Sequence, residues 1–276
     1  MTSVVKQWGR ALLDLEFPLR KVSLVEPSER SCETGPIPRR VVQTWPDDRI
    51  GRSHLKSVRE FRDTNPGFAF QVFTNADQQD YMNSAYRGEE ILKIFNRGKS
   101  PVLRADIFRY SFLLDQGGIY IDLSKRLRTP LQQFVTGTSH IILSHERNRV
   151  PENCGVHTDP SFEQHEFLFV QWCIMSAPNN RFLHRMLENI CRYSVKYEGI
   201  RFRSPKQAIL ELTGPIMWTR SVWEEILANG TRDYEVVDFD FGEPGFPRIP
   251  GSYVRFLPLG HYSRARDEIV LLAGNG

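Results

Sequence analysis

Only a fold in which a helix runs straight into a buried strand can accommodate residues 100–122, SPVLRADIFRYSFLLDQGGIYID. Ser100 is a good N-cap, and Pro101 suits the first helical position, where its missing N–H would lack a partner anyway. Ile107, Phe108, Tyr110, Phe112, Leu113 and Leu114 make the helix apolar over most of its surface, so it is predicted to be buried. Gly117 supplies the stop, and a strand is predicted over 119–124. Alternation along it turns Ile119, Ile121 and Leu123 toward a core and Tyr120, Asp122, Ser124, Arg126 and Arg128 the other way.

The flanking pattern places this unit in an α/β sheet. Arg40 to Trp45 is a short β-branched run ended by Pro46, read as a strand. A helix is predicted over 54–63, a strand over 68–74 and a helix over 76–95. Further strands are predicted at 140–144, 234–239 and 253–257, and helices at 163–176, 180–192 and 216–228. Strands and helices alternating in this way build βαβ units. Residues 1–36 read as an appended arm closed by Gly35-Pro36-Ile37-Pro38, and residues 37–276 as a single domain. Apolar positions at helical spacing within residues 3–17 allow an amphipathic helix that touches a membrane surface or packs on its own domain.

The chain has 276 residues and a formal charge of +3. So small a surplus gives no argument for nucleic acid, but it permits a local basic pocket for a phosphorylated ligand. No apolar run is long enough to span a membrane. Cys32, Cys154, Cys173 and Cys191 form no CxxC pair; they read as free thiols of a reducing compartment, with two disulfides as the other reading. A cytoplasmic location is the expectation. Asn229-Gly230-Thr231 is a glycosylation sequon and equally a turn.

Asp106 and Arg109 lie three apart on one face of the predicted helix. Charges in so apolar a helix need partners or a ligand, and an internal ion pair between the two would satisfy the helix alone. It would leave the adjoining Asp-x-Ser strand unexplained. Polar groups at the C-terminal end of a central strand lie where open α/β sheets hold ligands.

The helix Arg104-Ala105-Asp106-Ile107-Phe108-Arg109-Tyr110, followed by Gly117-Gly118-Ile119-Tyr120-Ile121-Asp122, resembles the sugar-binding DXD region of family 32 glycosyltransferases. Residues 37–45 resemble that family's first strand. Phe169-Val170-Gln171-Trp172 and Leu212-Thr213-Gly214-Pro215 resemble its fungal initiation-specific α-1,6-mannosyltransferase branch. The resemblance implies a GT-A fold, a Rossmann-like mixed sheet flanked by helices that holds a nucleotide-sugar, and transfer with retention of configuration. It implies a UDP- or GDP-sugar donor site drawn from Gln43, Thr44, Trp45, Arg104, Asp106, Arg109, Tyr120 and Arg126. Within it Trp45 would stack on the base, Asp106 would hydrogen-bond ribose or sugar hydroxyls, and Arg109 would bind sugar or diphosphate. Asp122 would hold Mn²⁺ or Mg²⁺.

The second carboxylate of the motif is Ser124 here. A hydroxyl is a weaker ligand than a carboxylate, so the metal is expected to bind loosely through Asp122 and Ser124, with His261 as a further candidate. Arg126, with Arg109 and Lys125, would supply positive charge to a diphosphate in its place. Glu166 is the candidate acceptor base or nucleophile. The acceptor is read as a small hydrophobic metabolite such as a terpenoid, which would place the enzyme in secondary metabolism. The alternatives are a mannosyltransferase acting on a glycan or glycoprotein, and an inactive nucleotide-sugar-binding relative.

Overall fold

The computed structural model describes residues 19–27, 35–149, 167–229, 233–243, 249 and 265–274. The strands are β1 (Arg20–Lys21), β2 (Val25–Glu26), β3 (Arg40–Thr44), β4 (Arg49–Ile50), β5 (Ala69–Phe73), β6 (Gly118–Ile121), β7 (Ile141–Arg149), β8 (Phe167–Phe169), β9 (Cys173–Ser176), β10 (Arg201–Phe202), β11 (Tyr234–Val237) and β12 (Glu268–Ile269). The α-helices are α1 (Arg52–Asp63), α2 (Asn75–Ala85), α3 (Glu90–Arg97), α4 (Pro101–Gln116), α5 (Arg181–Ser194), α6 (Pro205–Leu212) and α7 (Pro215–Asn229).

The central sheet has eight strands in the order β11-β7-β9-β6-β3-β5-β2, with β8 paired to β7. β5, β3 and β6 run parallel to one another, whereas β9 is antiparallel to both β6 and β7. The expected mixed sheet flanked by helices is therefore present. Two described pieces of the N-terminal arm belong to the framework: β1 pairs with β4, and β2 adds an antiparallel edge beside β5.

Every residue of β6 is buried. Tyr120 packs in a cluster with α4 and α5 residues such as Phe108, Tyr110 and Leu183, while Ile119 and Ile121 pack with Phe61, Phe70 and Met175 in another. Each such side chain contributes ~1.5–3 kcal/mol on burial. α4 starts as the sequence predicts, with the Ser100 hydroxyl accepting from the Val102 N–H at 3.3 Å. It ends at Gly117, where φ is +62°, and Gly118 follows at +111°. A Cβ at Gly118 would lie 2.5 Å from Cγ of Arg40 and 2.9 Å from its carbonyl oxygen, so only glycine lets β6 lie this close to β3.

Several boundaries differ from expectation. The helix predicted over 163–176 is not one: its described part holds the strands β8 and β9. The run Phe167 to Met175 is apolar except for Gln171 and shows no alternation, because a strand buried on both faces needs none. The helix predicted over 76–95 is two helices, broken where Gly88 adopts φ +87°. α6 has no counterpart among the predicted helices. β6 stops at Ile121, so strand alternation does not extend to Ser124 or Arg126. The strand predicted at 253–257 lies outside the described residues, as do residues 3–17 and Gly230-Thr231 of the sequon.

Candidate functional site

The parallel register pairs Val42 with Tyr120, which brings Thr44 level with Asp122 just past the C-terminal ends of β3 and β6. Because β9 runs the opposite way, the residues that lead into it, Gln171 and Trp172, reach the same edge. The Asp122 N–H donates to the Trp172 carbonyl at 2.9 Å. α4 crosses beneath and turns its polar positions toward this point.

Arg109 is the hub. Its Nη2 lies 2.9 Å from Asp106 Oδ1 and 3.4 Å from Asp122 Oδ1. Its Nη1 donates to the Gln171 carbonyl at 2.9 Å, and its guanidinium sits 4.2 Å from the centre of the Tyr120 ring. Asp106 accepts from Gln171 Nε2 at 3.0 Å and from the Thr213 hydroxyl at 2.9 Å. Gln171 Nε2 also donates to the Tyr110 hydroxyl at 2.9 Å, which donates in turn to the Thr213 carbonyl at 3.0 Å. The Tyr120 hydroxyl donates to Asp122 Oδ1 at 2.8 Å, so its contact with Thr44 Oγ1 at 2.9 Å is one in which Thr44 donates. Asp106 and Arg109 are buried, whereas the Asp122 side chain keeps 31% of its surface exposed. Both contacts to Asp122 fall on Oδ1, and Oδ2 makes neither.

The electrostatics follow from one guanidinium serving two carboxylates. Burial would depress Arg109, but Tyr120, Asp106 and Asp122 carry it above its ordinary value. Burial pushes the Asp106 carboxyl up to about 6, against the pull of Arg109, Thr213 and Gln171 and with a small further push from Asp122. Both are raised, Arg109 because the neighbouring anions favour its charged form and Asp106 because burial disfavours its own. Burial also raises the Tyr120 phenol, which keeps its proton and remains a donor to Asp122.

A raised carboxyl pKa means that the folded state holds the Asp106 proton more tightly than the unfolded chain does. Its contribution to stability is greatest below about pH 4 and declines as pH rises to about 6. Asp106→Asn is therefore expected to flatten the pH dependence of unfolding between those values, as read by thermal melts across the series. An unchanged slope would assign that dependence elsewhere.

The other expected site residues divide. Tyr120 and Thr44 join the cluster. Gln43 is buried, on the strand face opposite Thr44, and its Oε1 has no hydrogen-bond partner among the described residues. Arg104 is half-buried and makes none of the cluster's contacts. Trp45 is 7% exposed, packed with Ile50, Leu55, Val58 and Leu123, and its indole N–H donates to the Arg49 carbonyl at 3.1 Å. That packing leaves little ring surface for a base. Arg126 does not share a face with Asp122: past the end of β6 the chain turns, and its Nη1 lies 3.2 Å from Oε2 of Glu60 on α1. Ser124 is half-buried, and its carbonyl accepts from the Ile249 N–H at 2.7 Å. Glu166 and His261 lie outside the described residues, as do Cys32 and Cys154; Cys173 and Cys191 are free thiols.

Gln171 and Thr213 had no expected role, yet they complete the hydrogen bonding of Asp106. The signals for them were the two runs that carry the resemblance noted above, with a glutamine inside an apolar run and a threonine before Gly214-Pro215. Lys125 is buried, with Nζ 5.0 Å from the centre of the Trp172 ring. Among the described residues no three His, Cys, Asp or Glu side chains gather as a metal cage. Among the described residues the donor offered is one carboxylate oxygen, Asp122 Oδ2. That fits an ion which keeps most of its shell in water and substrate phosphate, as Mg²⁺ does, and does not fit a tightly held structural ion.

Residues 51–144 match the family model described as a glycosyltransferase sugar-binding region containing a DXD motif. The chain is 25% identical over 198 residues to the initiation-specific alpha-1,6-mannosyltransferase of Schizosaccharomyces pombe, covering 68% of this chain and 48% of that protein. It is 22% identical over 209 residues to the protein of the same name from Candida albicans, covering 70% and 54%. It is 23% identical to inositol phosphoceramide mannosyltransferase 1 of S. pombe, covering 68% and 53%. The chain thus spans about half the length of these relatives. Among solved structures, PaToxG glycosyltransferase matches with a TM-score of 0.50 at 14% identity, covering 81% of this chain and 76% of that one. The likeness supports a glycosyltransferase fold. The cytoplasmic location expected from the sequence is contradicted by the relatives, which by name are fungal mannosyltransferases acting on glycans and sphingolipids. No helix among the described residues is long and apolar enough to cross a membrane.

Proposed function

We propose, from the match of residues 51–144 to the glycosyltransferase sugar-binding family model, a mannosyltransferase that moves the sugar from a nucleoside diphosphate donor to a hydroxyl of a glycan or an inositol phosphate-bearing lipid. The observation that carries this reading is the convergence of Asp106, Arg109 and Asp122 past the ends of β3 and β6, with only Asp122 substantially exposed. The names of the relatives favour mannose and these acceptors. They favour them over the terpenoid-like alcohol expected from the sequence.

The cluster holds two carboxylates against one guanidinium, so by itself it is short of positive charge for a diphosphate. A divalent ion on Asp122 Oδ2 would make up the difference and stabilise charge on the departing diphosphate. Arg109 would fix the orientation of Asp122 and offer its field to the same oxygens. Tyr120 would hold Asp122 Oδ1, so that Oδ2 alone is presented. Lys125 is the second cation near this loop. Asp106, buried and fully bonded, would set the position of Arg109 in preference to meeting the sugar directly.

The test is transfer from GDP-mannose, against UDP-sugars, to a mannosylated glycan and to inositol phosphoceramide, with product read by mass spectrometry. Turnover is expected to need millimolar Mn²⁺ or Mg²⁺ and to vanish in EDTA. Full activity in EDTA would remove the metal role and leave Lys125 and Arg109 as the charges that serve the diphosphate. Ser124 favours one second reading, a nucleotide-sugar-binding relative without turnover. Calorimetric binding of GDP together with no transfer or donor hydrolysis would establish it.

A further inference from the structure

We infer that the protein carries a second anion site, distinct from the Asp106–Arg109–Asp122 cluster, which docks on the phosphodiester headgroups of anionic lipids. A cleft of about 590 Å³ lies between β1 and α1, lined by Arg20, Lys21, Arg52, Leu55, Lys56, Arg59, Glu60 and Asp63. The α1 residues among these recur at intervals of three and one, so they occupy a single stripe of the helix. The cleft brings five cationic side chains together against two carboxylates. Lys21 is held at 3.4 Å from Asp48 and Lys56 at 3.8 Å from Glu60. Arg20, Arg52 and Arg59 pair with no carboxylate among the described residues.

The helix itself adds to this field. α1 has no acidic residue in its first turn, and Gly51 at its N-cap offers no side-chain hydrogen bond. The positive end of the helix dipole is therefore left uncompensated, and Arg52 stands on it. Local electrostatics of this kind oppose folding slightly and favour an anion at this end of the helix.

The form of the cleft selects the anion. All five cations are exposed and sit at the rim of an open groove. A pocket for one soluble phosphate encloses it with buried, converging donors, and here there are none. Long exposed cations on a shared stripe gain most from a plane of negative charge, with each contributing additively and losing its effect over one Debye length. A membrane rich in lipids of net negative charge is such a plane.

The opposite face of α1 ties the cleft to the first site. His54 Nε2 is 2.8 Å from the Leu123 carbonyl, and Glu60 at the cleft rim pairs with Arg126. Both partners belong to the turn that follows Asp122. A surface seated on the cleft would therefore lie one helix thickness from the loop that carries the proposed metal ligand.

The inference does not depend on the transfer reaction. Wild-type protein is expected to co-sediment with phosphatidylcholine vesicles doped with phosphatidylinositol, to remain in the supernatant with pure phosphatidylcholine, and to be released by high salt. Arg52→Glu with Arg59→Glu should weaken vesicle association about tenfold or more. Both side chains are exposed, so the melting temperature should hold; Arg52→Gln with Arg59→Gln gives a milder pair, with a smaller loss expected, should the reversal fail to fold. Asp122→Ala should bind vesicles as wild type does. Unchanged association in the Arg52/Arg59 variants would overturn the inference. So would loss of association in Asp122→Ala, or calorimetric binding of inorganic phosphate at Arg52 and Arg59 without any binding to vesicles.

Discussion

Asp122→Ala is expected to lower transfer about 10²–10³-fold or more while the protein stays folded. Its side chain is the exposed member of the cluster, and Arg109 retains Asp106 at 2.9 Å when Asp122 is gone. The folding cost is limited to the lost acceptor of the Tyr120 hydroxyl, about 1 kcal/mol. The kinetic signature separates this role from a structural one. Removing a carboxylate makes the cluster less negative, so GDP should bind at least as well in the absence of metal. The loss should therefore fall on kcat and on the response to Mn²⁺. A variant that keeps wild-type kcat, or one that loses nucleotide binding along with it, would show that Asp122 does not hold the ion.

The second large effect runs the other way, through stability. Arg109→Met should cost about 3–5 kcal/mol, because it strands the Asp106 carboxylate in the interior without its cation. For a chain of this size that corresponds to a fall in melting temperature of about 10 °C. Arg109→Lys should be intermediate. A single ammonium cannot reach Asp106, Asp122 and the Gln171 carbonyl together while lying flat on Tyr120. The informative variant is the double one, Arg109→Met with Asp106→Leu. Replacing both members of a buried pair by apolar groups of similar volume is often neutral or better. Stability should return with no recovery of transfer. Recovery of activity along with stability would mean that the pair serves the fold alone.

Much of this was readable from residues 100–122. A capped, apolar helix that meets two glycines and then Ile-Tyr-Ile-Asp leaves one arrangement, and the structure has it, down to the positive φ at Gly117 and Gly118. The Asp106–Arg109 pairing followed from helical spacing. What could not be read depended on tertiary partners. Nothing local in Phe167 to Met175 distinguishes a helix from two strands, because burial on both faces erases the period that would decide. Arg126 was placed beside Asp122 by extending strand alternation past the point where the chain turns, and Glu60, 66 residues earlier, claims it instead. Gln171 and Thr213 reach Asp106 from 65 and 107 residues away, and no short-range pattern announces such a contact.

Arg109 is anchored on two carboxylates, a carbonyl and an aromatic face. An arginine reaching for phosphate from the surface would have to freeze its rotors as the ligand arrives, at about 0.5–1.5 kcal/mol for one side chain. Here that ordering is completed when the polypeptide folds. Donor affinity should accordingly show little entropic penalty at this residue, and variants that loosen its anchors, such as one lacking the Gln171 side-chain amide that steadies Asp106, should bind more weakly through entropy while the binding enthalpy stays close to that of the parent.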